Sequence, residues 1–169
     1  MTAITVTNID WSIVDDVRDA LAAAKIASSA VFDSVTVTTC DEQVQANRLS
    51  RSPAAIVRYV TTRESACPED VRGACVCLEI ILAAAVDPPG RTDLDESARL
   101  AEILRLKNAA VNAVEAEPPA AACAWGSSQA YQPRIGWGQG RIDLSAGEPW
   151  AICRLPVEIG FVIPTGTSH

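Results

Sequence analysis

Histidine is nearly absent: the chain has one, His169, and it is the last residue. An untethered terminal imidazole cannot hold the geometry of a general base or a metal ligand, so the commonest group for both tasks is missing. Ser-His and Cys-His nucleophile pairs are excluded on the same ground. Basic residues are also short, with 14 Lys and Arg against 21 Asp and Glu and a net charge of −7. That balance argues against a surface built to grip nucleic acid or an anionic membrane. It is compatible with a protein that surrounds DNA and lets it slide past by repulsion. No stretch reaches the roughly 18 uncharged apolar residues of a membrane span, and there is no G-K-S or G-K-T phosphate loop. Met1 to Ile9 carries neither the charged nor the apolar region of a signal peptide, so a reduced, cytoplasmic state is expected. Aromatic residues are only 5% of the chain, which predicts an aliphatic core.

What remains is a chain of 169 residues, 49% apolar and 21% charged, enough for one domain over 1–169 with a core of its own. Ser12 to Ser28 predicts a helix, with Ile13, Val17, Ala20, Leu21 and Ala24 as its apolar stripe and Lys25 in its last turn. Val31 to Thr39 predicts a half-buried strand, valines on one face and Thr36 and Thr38 on the other. Asp41 to Leu49 is a short helix or an excursion. Ala54 to Thr62 and Gly73 to Val86 predict two antiparallel strands, the second apolar on both faces, joined through Thr62 to Arg72. Pro88, Pro89 and Gly90 form a stop. A helix follows from Asp95 to Glu115, with Leu100, Ile103, Leu104, Val111 and Val114 as its expected buried stripe. Glu117 to Pro149 reads as a long loop or arm, and Trp150 to Ile163 as a closing strand with Val157, Ile159 and Phe161 on one face. The tail Pro164 to His169 is expected to be disordered. The sum is an α+β fold, with a mixed or antiparallel sheet of about four strands and two helices packed on one face.

No motif in this order carries chemistry. Cys75 and Cys77 share a strand face, where they are badly placed to bridge each other. Cys40, Cys67, Cys123 and Cys153 lack the spacing of a zinc knuckle, so buried thiols used as small hydrophobes are the expectation and no metal or cofactor is assigned. A disulfide from Cys67 to another loop cysteine stays open. The acidic pairs Asp15–Asp16, Glu69–Asp70 and Asp93–Asp95 fall at helix starts or in loops, which fits capping and solvation. The run Gly136, Gly138, Gly140 neither follows an apolar strand nor opens a helix, so it reads as a flexible arm rather than a nucleotide loop. An enzyme is therefore not expected.

The order of elements resembles the tail terminator proteins of long-tailed phages and phage-like particles. The elements that carry it are the helix Ser12–Ser28, the strands near Ala54–Thr62 and Gly73–Val86, the helix Asp95–Glu115 and the closing strand Trp150–Phe161. The resemblance covers most of the chain except 117–149. It implies a ring, usually a hexamer, that caps the tail tube and joins it to the head-side connector within the virion. A contractile tail would add the sheath protein as a partner, and DNA would pass through the lumen without specific binding. Another connector or neck component is a second reading. A small ligand-binding or enzymatic domain with a site under the 117–149 loop is a third, from a different class.

On the ring reading the sites are contacts. Trp125, Tyr131, Arg134 and Trp137 combine the residue types that anchor interfaces within one long segment. They serve as a contact surface, or the segment folds back over its own sheet. Arg63, Glu64 and Arg72 flank the expected hairpin.

Overall fold

The computed structural model describes residues 9–39, 53–65, 72–85, 96–117, 134–144 and 150–163. The elements are α1 (Ile9–Ala23), β1 (Lys25–Ile26), β2 (Ser29–Ala30), β3 (Ser34–Thr38), β4 (Ala54–Ser65) and β5 (Arg72–Ala85). They continue with α2 (Glu96–Ala116), β6 (Arg134–Trp137), β7 (Arg141–Asp143) and β8 (Trp150–Ile163). β1 and β2 form a small hairpin, and the rest make one six-stranded sheet in the order β3-β4-β5-β8-β6, with β7 also on β8. β3 runs parallel to β4, and every other pairing is antiparallel. The expected α+β class with a mixed sheet is therefore what the chain adopts.

Both helices cover the same face. Ile13, Val17 and Leu21 of α1 and Ile103, Leu106, Ala110 and Val114 of α2 share a buried core with Val57, Leu78, Ile80, Leu82, Leu155, Val157 and Ile159 of the sheet. Alternation decides which strand residues face the helices, since successive side chains point to opposite sides. β5 and β8 are central, so their other face also has to hold apolar groups, and Ile56 and Ile81 are buried there against Ile152. Each fully buried Val, Leu or Ile contributes about 1.5–3 kcal/mol to holding these layers together.

Four expectations change. The first helix starts at Ile9 and stops at Ala23, and Lys25, expected in its last turn, begins the β1–β2 hairpin. Ala27 and Ser28 turn that hairpin with φ of 47° and 73°, a conformation usually left to Gly or Asn, and Val31 donates back to the Ala24 carbonyl at 3.0 Å. The stripe of α2 is Ile103, Leu106, Ala110 and Val114, while Leu100 and Leu104 are exposed. At about 100° per residue Leu104 turns away from Ile103, and Ala110 takes the central place. Thr38, expected on a polar face, is buried.

The fourth change lies in 134–144, within the segment expected as a loop. It forms β6 and β7, both paired to β8. Gly136 to Gly140 is thus sheet and a tight crossing rather than an arm. Pro156 explains the split. It sits in β8 between the residues that pair with β7 (Ile152–Arg154) and those that pair with β6 (Val157–Gly160), and a proline offers no ladder N–H. The chain crosses this gap at Gly138, whose N–H donates to the Pro156 carbonyl at 2.8 Å.

The expectations for 41–49, for the stop at Pro88–Gly90, for Cys40, Cys67 and Cys123 and for the tail 164–169 fall outside the described residues, as does His169.

Candidate interaction surface

The helix-free face of the sheet carries a ladder of charge. The register sets Arg58 beside Glu79: Arg58 Nε donates to Glu79 Oε2 at 2.9 Å, and a terminal guanidinium nitrogen forms an ion pair with the same oxygen at 2.9 Å. Arg154, one strand further on, donates to the same oxygen at 3.1 Å. The Glu79 side chain is only 15% exposed, so this carboxylate is a half-sheltered hub for two cations. Nearer the other end of the strands, Arg63 of β4 reaches across β5 to Glu158 of β8 at 2.6 Å. Glu158 is the first reason, by attraction and then by hydrogen bonding, that the Arg63 charge is held more firmly than usual.

Cys75 and Cys77 share one face of β5, as expected, and it is this one; both are free thiols, as is Cys153 on the helix side. Burial pushes the Cys75 and Cys153 thiols up, away from the thiolate that reacts. Among the described residues there is no group of three His, Cys, Asp or Glu placed to hold a metal. A groove of about 410 Å³ opens between the end of α1 and α2, lined by Lys25, Ile26, Arg105, Asn108 and Asn112 with alanines between. Its lining holds no carboxylate, thiol or hydroxyl, and Arg105 is already clamped to Glu102 at 2.7 Å. Neither described helix is long and apolar enough to cross a membrane.

The two edges of the sheet complete the surface. β3 pairs only with Ala54 to Arg58 of β4. Among the described residues nothing pairs with the outer edge of β4 from Tyr59 to Ser65. That stretch holds Val60, which is 49% exposed at the register shift between Tyr59 and Thr61, followed by exposed Thr61, Arg63 and Glu64. At the opposite edge, β6 turns its outer side away from β8, with Arg134 and Gly136 exposed.

Four of the expected contact residues fall on these edges. Arg63 and Glu64 are on the bare stretch of β4, and Arg134 and Trp137 are on β6. Within one copy they are on opposite sides of the sheet, so they do not form one patch. Trp137 also folds back: it is half-buried against the core, and its Nε1 donates to Glu115 of α2 at 2.9 Å. Arg72 opens β5 opposite Ile163. Trp125 and Tyr131 lie outside the described residues. Glu158, Glu79 and Val60 were not foreseen. The alternation of the closing strand already put Glu158 on the face away from the core, but only the register shows which cation it meets.

No protein-family model and no curated protein matches this chain.

Proposed function

We propose that this protein is a structural ring subunit of the tail-terminator type, which caps a phage tail tube and joins it to the head-side connector. The observation that supports the reading is the outer edge of β4 from Tyr59 to Ser65, which has no strand partner among the described residues. Unpaired strand edges attract other strands, and proteins usually shield them with partners, charge or proline. Here Val60 and Thr61 stand exposed on that edge, and a closed ring of copies would cover it. The net charge of −7 suits a ring through which DNA passes without being held. The partners on this reading are further copies, six in a ring, the tail-tube protein, the head-side connector and, in a contractile tail, the sheath. The place of work is the neck region of the virion.

The test is the mass of the purified protein by light scattering, followed by rotational symmetry in electron micrographs. A sixfold ring is expected. A twelvefold ring would move the protein to the portal side as another connector component. A monomer at every concentration would refute both.

A further inference from the structure

We infer that the start of α1 in one copy seats in the groove between the end of α1 and α2 in the next, with Trp11 entering the groove and Asp10 facing Lys25. The inference rests on the ring reading and names its joint.

The two ends of α1 are unlike and complementary. At its start stands Trp11, 45% exposed, beside Asp10 in the first turn. Residues 9–19 carry Asp10, Asp15, Asp16 and Asp19 against Arg18, a net charge of −3. Past the other end stand Lys25 and Ile26, the latter 42% exposed, in the lining of the groove. That lining holds two cations and no carboxylate. Arg105 is already held by Glu102, so Lys25 is the cation that meets a newcomer. An acid beside an aromatic at one end thus answers a base beside an aliphatic at the other. Ends that differ in this way join head to tail, the heterologous contact from which rings are built.

The groove also suits its guest. It measures about 410 Å³, and Ala24, Ala109 and Ala113 in its lining have short side chains that leave depth for an indole. A buried tryptophan needs an acceptor for its N–H, and the amides of Asn108 and Asn112 in the lining offer carbonyl oxygens. A large aromatic seated in a pocket is the usual anchor of a protein contact.

Position agrees with the ring reading. Val31 donates to the Ala24 carbonyl at 3.0 Å and Asp33 to the Pro53 carbonyl at 2.7 Å, which ties the end of α1 to the beginning of β4. α1 lies against β3 and β4, and its 15 residues span about 22 Å. From Ala54 to Tyr59 the strand covers about 17 Å. The start of α1 is therefore directed toward the stretch of β4 beyond Arg58, whose outer edge has no strand partner among the described residues. A copy seated on Trp11 also shields that edge.

Complementation tests the joint in the full chain. Lys25→Glu sets acid against acid at every joint, and Asp10→Lys sets base against base. Each variant alone should need about tenfold more protein than the native chain to assemble, read by light scattering, because facing like charges oppose association. In an equal mixture the two variants alternate, and every joint again pairs an acid with a base. The mixture should therefore recover rings of native mass near the native concentration. Trp11→Ala, at an exposed position, should weaken assembly while circular dichroism shows a native fold. Native assembly by both charge variants, or by Trp11→Ala, overturns the joint and leaves the ring reading standing. Weakened assembly that the mixture does not restore overturns it too, since the two ends then do not meet. A native chain that stays monomeric at every concentration removes the ring and the joint together.

Discussion

Replacing Glu79 by glutamine tests how the helix-free face is held. Glu79 Oε2 accepts from Arg58 at 2.9 Å and from Arg154 at 3.1 Å, with 15% of the Glu79 side chain exposed. Hydrogen bonds to charged groups contribute about 1.5–3 kcal/mol each when sheltered, and breaking a fully buried pair costs about 3–5 kcal/mol. Arg58 and Arg154 are 22% and 37% exposed, so water recovers part of that loss. Glu79→Gln keeps the shape, removes the charge and leaves two guanidiniums converging on a neutral amide. The expected loss is about 2 kcal/mol. With a urea slope of about 1–3 kcal/mol per molar, that moves the unfolding midpoint down by roughly 1 M. The measurement is urea unfolding at one fixed protein concentration, because assembly adds its own stabilisation. Arg58→Met and the double variant complete a cycle, which should show coupling of about 1 kcal/mol. A loss under about 0.5 kcal/mol from Glu79→Gln would refute the hub, since that is the scale of an exposed ion pair.

Other consequences are simpler to check. Leu106→Ala should cost about 3–5 kcal/mol and Leu104→Ala under about 1 kcal/mol in the same unfolding assay, because only Leu106 is buried. The Arg105 hydrogen bond is the main reason the Glu102 carboxyl is held below its usual range. Its contribution is therefore complete above the unfolded pKa and lost as pH falls through the folded one. Both partners are partly exposed, so the effect is about 0.3–0.5 kcal/mol, and the stability lost in Glu102→Gln at about pH 7 should shrink as the pH is lowered through the acid range. Cys75 and Cys153, their thiols pushed up by burial, should resist iodoacetamide in the native protein and react once it unfolds, as read by peptide mass mapping.

The elements that were legible in the sequence are those whose pattern is long compared with its period. β8 runs for 14 residues, and the alternation of Val157, Ile159 and Phe161 with Glu158 and Gly160 fixes both its limits and its faces. β5, buried over most of both faces, reads as a long apolar run that only Glu79 interrupts after Arg72. β6 and β7, with four and three residues, are too short to show any period. The β1–β2 turn was hidden because Ala27 and Ser28 adopt an uncommon backbone that neither residue signals. α2 was placed correctly, but leucines drew the stripe toward Leu100 and Leu104. In an alanine-rich chain the buried Ala110 gives no warning. Among the candidate contacts, Arg63 and Glu64 followed from their place on a hairpin. Their relation to Arg134 and Trp137 is a matter of register across four strands, which no local pattern encodes.

The glycine crossing beside Pro156 ties local sequence to this geometry and gives the sharpest contrast between neighbouring positions. A Cβ added to Gly138 would lie 2.9 Å from Cβ and 3.3 Å from Cγ of Pro156. Both atoms belong to a rigid ring in a central strand, so the crossing itself has to shift, and its 2.8 Å bond to the Pro156 carbonyl weakens with it. Overpacking of this kind costs about 1–3 kcal/mol. Gly136, two residues earlier and on the same strand edge, has no contact closer than 3.9 Å for an added Cβ. Gly136→Ala should therefore be neutral or slightly stabilising, since it limits the unfolded chain by about 0.4–1 kcal/mol without a clash. Pro156→Gly removes the ring, so combined with Gly138→Ala it should lose less than the two single changes added together. Equal midpoints for Gly138→Ala and Gly136→Ala in urea would show that the crossing is not held by Pro156. If the contrast holds, β6 owes its position to that proline.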